Sequence, residues 1–493
     1  MIETSIRADK PCKTRRSSNG PVAGLLAVLL AVCAGCGDDV YRQIHMNRAA
    51  AYSRWDREYR REPGAILKGE LAVEDAVAIA LANNKQIAAA LQEELRARGI
   101  VTESYSLALP TVDLEATYTR LDEVESFALN GVEVQFGNLD NYALAAAIRQ
   151  PLFRAGGIGA GIRAADIFVK ISDEETRRVI QEVIYEVSRT YYDILLAEEL
   201  LLVAEEGIEL AQRQLDDVTA RRRMGIAADF DVLRAEVEVI NLKTEKIQTA
   251  NRLSLLKASL LRAMGVSQES EIELTGELVF RKIDPSLEEA VKLAYANRPE
   301  LMQAELSVKL QKENLTAVRS ELWPTLDAFF NQTVARPHPR TPTSISWGGQ
   351  WSAGLVAVYP LFDGFRIRGR IAQAEAELEK SRILLADTEE QILLNVKQSI
   401  LSVRDAQTLV DSQRANVDRA RESYRLAELG YREGERTELE LRDARFALLR
   451  TQVLHYEAIH QHQMAVLALK RATAELGLEE SEEAINAEER QEE

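Results

Sequence analysis

The sequence predicts a mainly α-helical protein with a membrane β-barrel portion. Three observations predict it. Apolar residues recur at coiled-coil spacing over very long segments, four segments alternate apolar and polar side chains, and a unit of about 200 residues occurs twice. Only 25 of the 493 residues are glycine and 12 are proline. Long helices therefore fit the chain better than a string of compact domains.

The net charge and the cysteine content exclude several classes of protein. The formal net charge of −17 argues against a nucleic-acid partner, because such a partner needs a basic surface. The three cysteines are Cys12, Cys33 and Cys36. The sequence therefore predicts neither a disulfide framework nor a cysteine-based zinc site in the body of the chain.

The segment 1–35 has the features of a signal peptide. Basic residues precede an apolar stretch at 21–35 that is short for a membrane span. The stretch leads to Cys36, and the small residues before this cysteine resemble the lipobox of bacterial lipoproteins. Cys36 would then carry the lipid anchor as the first residue of the mature chain. Ordinary cleavage after Ala34 is the alternative, because Cys33 stands where a lipobox usually has leucine.

The remainder of the chain divides into five segments. Residues 36–70 form a polar lead-in, 71–270 the first repeat, 271–284 a linker with a strand at 272–279, and 285–476 the second repeat. Residues 477–493 form an acidic tail that we expect to be disordered.

Matching residues relate the two repeats. Pro110 and Pro324 are 214 positions apart, and Gly225 and Gly434 are 209 apart, because the intervening loops differ in length. Each copy begins with a short and a long helix, at about 73–106 and 287–320. A strand pair follows, and then a helical hairpin. The predicted strands are 111–121 and 140–150 in the first copy and 325–334 and 349–359 in the second, and the predicted hairpins are 154–265 and 365–476.

The long helices have the pattern of coiled coils. Apolar or small residues recur from Ile392 to Ala427 with a mean spacing of about 3.5 residues. The first copy has a similar series, made of Leu201, Ala204, Ile208, Ala211, Leu215 and Val218. Short turns at Gly225 and Gly434 make each return helix antiparallel.

Each of the four strands has one apolar face. These faces consist of Val112, Leu114, Ala116 and Tyr118; Tyr142, Leu144, Ala146 and Ile148; Leu326, Ala328 and Phe330; and Trp351, Ala353, Leu355, Ala357 and Tyr359. Such length and alternation are typical of transmembrane β-strands. A soluble hairpin pair packed on helices is the alternative. Lipid does not tolerate an open sheet edge, and four strands cannot close a barrel. Strands in a membrane would therefore require an oligomer, and three copies would supply twelve.

The duplicated units, the prolines before the strands, the Pro-Leu-Phe segments at 151–153 and 360–362 and the glycine turns together resemble the TolC family of outer-membrane efflux proteins. The resemblance covers about 71–476. It implies a homotrimer with a 12-stranded β-barrel in outer-membrane lipid, joined to an α-helical barrel that crosses the periplasm. It implies extracellular loops at 122–136 and 335–348, no catalytic activity and no cofactor. The turns at Gly225 and Gly434 would face a membrane-fusion adaptor and an inner-membrane pump.

The resemblance also implies a gate at the periplasmic end. Tyr431 and Arg436 fall on the family's gating tyrosine and arginine, and Asp231 falls on their partner acid. These residues would link the hairpins of neighbouring copies. A plain charged and solvated turn is the alternative.

An acidic ring is implied beside the gate, with Glu440 and Asp443 at its positions. Six carboxylates around one axis would attract cations, and their crowding would raise some of their pKa values. Arg442 lies next to Asp443 in the sequence and would weaken the ring's selectivity if it paired with it.

Other signals do not support a chemical site. The glycines at 156–161 lack the spacing of a dinucleotide loop. His455, His460 and His462 do not share one helix face, so no metal site is predicted. Two functional alternatives stay open: a channel of the same fold for type I protein secretion, and a soluble periplasmic coiled-coil scaffold.

Overall fold

The computed structural model describes residues 44–54, 69–129, 132–136, 138–341 and 344–476. The predicted signal peptide, Cys36 and the acidic tail lie outside the described residues. The chain divides into two units. In the unit formed by Met1–Leu67 and Glu269–Glu271, residues 44–54 are helical. The other unit contains the elements named below.

The first half of this unit consists of two short helices, strands and a long helical hairpin. The elements are β1 (Gly69–Leu71), α1 (Val73–Asn83), α2 (Lys85–Ser106), β2 (Thr111–Arg120), β3 (Glu125–Leu129), β4 (Val132–Phe136), β5 (Asp140–Phe153), α3 (Gly157–Arg223) and α4 (Asp229–Met264).

The second half repeats the same order of main elements. It contains β6 (Ile272–Leu274), α5 (Leu287–Asn297), α6 (Pro299–Ser320), β7 (Thr325–Arg336), β8 (Gly348–Val358), α7 (Arg366–Glu433) and α8 (Glu438–Ala472). Helix α3 has 67 residues and α7 has 68. At about 1.5 Å per residue, each helix is about 100 Å long.

The predicted coiled-coil seam of the second hairpin is buried over most of its length. Ile392, Val396, Val403, Ala406 and Val410 are all buried on α7. Ser399 and Tyr424 are only half-buried. The seam therefore packs α7 against the elements beside it, as the spacing of three and four predicts.

The first hairpin buries a shifted version of its predicted seam. Ala204, Ala211 and Val218 are buried, but the alternate positions, which include Ile208, are only half-buried. Gly207 is buried in their place, and a Cβ added there would lie 3.1 Å from Leu449 Cδ1 of α8. The close approach of the second hairpin, which the sequence pattern of one helix does not contain, shifts the buried face.

The strands β2, β5, β7 and β8 form one antiparallel sheet in that order. The register brings the predicted apolar residues onto one face, because Leu114 pairs with Ala146, Ile148 with Phe330, and Ala328 with Leu355. Strand β5 extends beyond the predicted end at 150 through an irregularity between Pro151 and Phe153. The strands β2 and β8 are the two edges of this sheet.

Two regions differ from the sequence-based expectations. The segment 122–136, expected to be a loop, contains the antiparallel hairpin β3–β4. The strand expected at 272–279 is only three residues long and pairs in parallel with β1, which was not predicted. The strand is short because its partner β1 ends at Leu71, two positions before the first residue of α1, Val73. Beyond the ladder, Tyr191 Oη accepts a hydrogen bond from Gly276 N at 3.0 Å and donates one to Leu71 O at 2.9 Å.

Among the residues that the structure describes, no helix combines the length and apolar character that a bilayer crossing requires.

Candidate functional site at the hairpin turns

The two hairpin turns have the same backbone geometry. Gly225 and Gly434 adopt positive φ values of 74° and 79°, which glycine adopts without steric cost. The amide of Ile226 donates to Arg221 O at 2.9 Å, and the amide of Glu435 donates to Gly430 O at 2.8 Å. This bond pattern is the Schellman motif that ends a helix. The glycines predicted to face an adaptor are therefore required by the turn itself.

The return helices begin with a carboxylate at equivalent positions, Asp231 and Glu440. Asp231 Oδ2 accepts a hydrogen bond from Ala228 N at 3.1 Å. Glu440 Oε2 accepts one from Thr437 N at 2.8 Å, while Thr437 Oγ1 accepts one from Glu440 N at 3.3 Å. Thr437 and Glu440 thus form a capping box. The hydrogen bonds from Thr437 lower the pKa of the Glu440 carboxyl from its ordinary value.

Tyr431 contacts the first hairpin of its own chain. Its hydroxyl donates to Asp217 Oδ2 at 3.3 Å, and the Arg221 guanidinium lies 4.3 Å from its ring centroid. Arg221 Nε also donates to Asp217 Oδ2, at 2.8 Å. Burial raises the pKa of the Tyr431 hydroxyl, and the Arg221 charge opposes this shift. A buried tyrosine, an arginine and an acid therefore join α7 to α3 at the turn.

Arg436 and Asp443 remain on the surface of the single chain. Arg436 Nη1 lies 3.5 Å from Glu440 Oε1, and Arg442 Nη2 lies 3.4 Å from Asp443 Oδ1. The Asp443 side chain is 65% exposed. Arg442 thus pairs with Asp443, one of the positions of the expected acidic ring. This is the pairing that was expected to weaken the ring's selectivity for cations.

The predicted gate residues are only partly brought together within one chain. Arg436 meets Glu440, but among the described residues no hydrogen bond or ion pair joins Asp231 to Tyr431 or Arg436. Asp231 instead lies near Glu438 of the second hairpin. Burial raises the pKa of the Glu438 carboxyl, and the Asp231 charge adds to the shift.

A buried ion pair joins the two hairpins and was not predicted from the sequence. Arg445 on α8 contacts the Glu238 carboxylate on α4, and only 3% of its side chain is exposed. A signal was available, because Arg445 lies on the same helix face as the buried Leu441 and Leu448. An arginine in an apolar seam needs a partner, since an unpaired buried charge is costly.

The histidines do not assemble a metal site. His460 Nε2 lies 2.7 Å from Asp193 Oδ1, so it links α8 to α3. His462 is buried, with its ring edge-to-face against Phe280. Within the described ranges, no group of three or more His, Cys, Asp or Glu side chains could hold a metal ion.

The chain is similar to curated proteins and to solved structures. The chain is 27% identical over 252 residues to protein CyaE of Bordetella pertussis, covering 50% of this chain and 52% of that protein. It is 23% identical over 306 residues to outer membrane protein TolC of Escherichia coli, covering 60% and 62%. These matches thus span only about half to three-fifths of the two relatives.

The fold has solved counterparts. A membrane protein from Pseudomonas aeruginosa superposes with a TM-score of 0.71 at 19% identity, covering 83% of this chain and 91% of that one. A family described as outer membrane efflux protein matches residues 76–266 and 290–475, about three quarters of the chain. The description of this family as efflux proteins agrees with the prediction that the chain is not an enzyme. The chain belongs to the outer membrane efflux protein family.

Proposed function

We propose that the chain forms the outer-membrane channel of a tripartite export system, in which substrates pass from an inner-membrane pump through a periplasmic α-barrel to the exterior. The observation that carries this proposal is the sheet β2-β5-β7-β8, which has an apolar face and two free edges. Leu114 and Leu355, on the apolar face, are largely exposed in the single chain. A surface of this kind suits lipid better than water.

The free edges support a homotrimer. Strands β2 and β8 each have a neighbour on one side only within the sheet. Because unpaired backbone groups are costly in lipid, each edge must pair with another chain. Three copies supply twelve strands, above the roughly eight that the smallest barrels need.

The proposal of a periplasmic gate is based on side chains that are accessible to a neighbouring copy of the chain. Half of the Arg436 side chain is exposed, and no basic side chain among the described residues forms an ion pair with Asp231. We propose that these two residues link neighbouring copies, while Tyr431 holds the second hairpin against the first. Glu440 and Asp443 would line the closed end, with Arg442 offsetting part of their charge. Adaptor and pump would act at the turns of Gly225 and Gly434.

Charge reversal tests the gate. Asp231→Lys and Arg436→Glu are each expected to raise the single-channel conductance in planar bilayers, because each replaces an attraction between copies with a repulsion. Arg425→Glu is the matched control, since Arg425 pairs with Glu422 on its own helix and is well exposed. Unchanged conductance in both gate variants would refute the gate.

A further inference from the structure

The Arg445 side chain crosses from the second hairpin to the first. Its Nη2 contacts Glu238 Oε1 on α4, and its Nη1 donates to Leu210 O on α3 at 3.4 Å. One guanidinium therefore contacts both helices of the other hairpin. Since Arg445 is almost fully buried, these contacts replace the hydration of Nη1 and Nη2, whereas its Nε has no hydrogen-bond partner among the described residues.

Arg445 and Glu238 are less exposed than Arg436 at the turn: the exposed fractions of the three side chains are 3%, 27% and 50%. Arg445 is seven positions beyond Glu438, the first residue of α8, or about 10 Å along the helix axis. Burial raises the pKa of the Tyr424 hydroxyl on α7, and the nearby Arg445 charge opposes this shift. The pair thus belongs to the packed interior between the hairpins, whereas Arg436 is on the surface.

The duplication does not create a second such pair. At the offset of 209, the counterpart of Arg445 is Glu236, and the counterpart of Glu238 is Ala447. Neither position could form the pair in reverse. Among the described residues, the Arg445–Glu238 pair therefore has no counterpart related to it by the duplication, and it runs from α8 into the first hairpin.

We propose that Arg445 and Glu238 form a latch that holds the two hairpins of one chain together when the channel is closed. This inference rests on the proposed gated channel. A small displacement of α8 that keeps Arg445 between the hairpins would separate the guanidinium from Glu238 before water reaches it. Because an unpaired buried charge is costly, the closed arrangement is favoured. Arg445 is a positioning residue: it acts on the packing of the hairpins and need not touch the substrate.

The latch is tested by the ratio of open to closed dwell times in planar bilayers. Glu238→Gln removes the charge and keeps the shape, and Arg445→Met keeps most of the side-chain volume. Each is expected to raise the ratio by roughly fivefold or more, the lower end of typical coupling between sites. The double variant should exceed Arg445→Met alone by little, because both changes remove the same contact.

Controls separate the latch from misfolding and from the gate. Arg425→Met removes an exposed pair within one helix and should leave the ratio unchanged. If Arg445→Met fails to assemble in the outer membrane, Glu238→Gln decides alone. An unchanged ratio in Glu238→Gln, with a raised conductance in Asp231→Lys and Arg436→Glu, would overturn the latch and leave the gate standing. Unchanged behaviour in all of these variants would overturn the proposed gate as well.

Discussion

At the turns, helical spacing predicts which side chains are buried, but it does not predict which side chains they contact. The resemblance selected Tyr431 and Arg436, but it did not predict Asp217 or Arg221 as the partners of Tyr431. Helical spacing shows which face of a helix is buried, whereas the residue opposite it depends on the register of another helix. The capping role of Glu440 was readable, because Thr437-Glu438-Leu439-Glu440 has the spacing of a capping box.

A pH-dependent effect follows for Glu440. Its pKa is lower in the folded chain, so its carboxylate stabilises the start of α8 above the ordinary glutamate pKa, and this stabilisation is lost as the pH falls through the folded value. In Glu440→Ala, which removes the acceptor, we expect faster hydrogen exchange at the amide of Thr437 at neutral pH, with the difference from wild type shrinking in acid.

Hydrogen-exchange mass spectrometry across the α7–α8 turn measures this effect. Glu435→Ala, in the same exposed turn, is the control and should exchange like the wild type. Equal exchange of Glu440→Ala and wild type at neutral pH would contradict the capping role.

At the scale of elements, the sequence predicted the long helices and the four main strands well. The coiled-coil spacing of the helices and the alternation of the strands are regular, and proline or glycine lies beside several of their ends. Strand β1 was missed because three residues have no readable period, and its pairing with β6 is long-range. The hairpin β3–β4 was missed although Asn130-Gly131 is a strong hairpin signal in the sequence. In this segment, the Asn-Gly dipeptide was a better predictor than the resemblance, which implied a loop.

The two faces of β2 provide a matched test of the membrane assignment. Leu114 lies on the apolar face, and Glu115 lies on the opposite one. Leu114→Lys is expected to cost about 2–4 kcal/mol if the position is near the bilayer midplane, and to reduce assembly in the outer membrane. Glu115→Lys should assemble normally. Heat-modifiable mobility of outer-membrane fractions on a gel distinguishes the two. Equal assembly of both variants would contradict a lipid-facing sheet.

At the scale of the whole molecule, a single chain leaves much apolar surface without cover. Besides the sheet, α4 exposes Phe230, Leu233, Val237 and Ile240 at steps of three and four. This spacing is that of a coiled-coil seam, and no helix of the described residues covers it. An oligomer was predictable from the strand count alone, because four strands cannot close a barrel. The apolar series on α4 was not predicted. The contacts between copies were not predictable either, because they depend on geometry outside one chain.

The number of chains in the native particle tests the central claim most directly. Native mass spectrometry of the protein, extracted from the outer membrane in a mild detergent, should give three chains per particle. Three copies would supply the twelve strands that close the free edges of β2 and β8. A particle of one or two chains would contradict the account, because four strands cannot close a barrel and the interior of an eight-stranded barrel is filled by side chains.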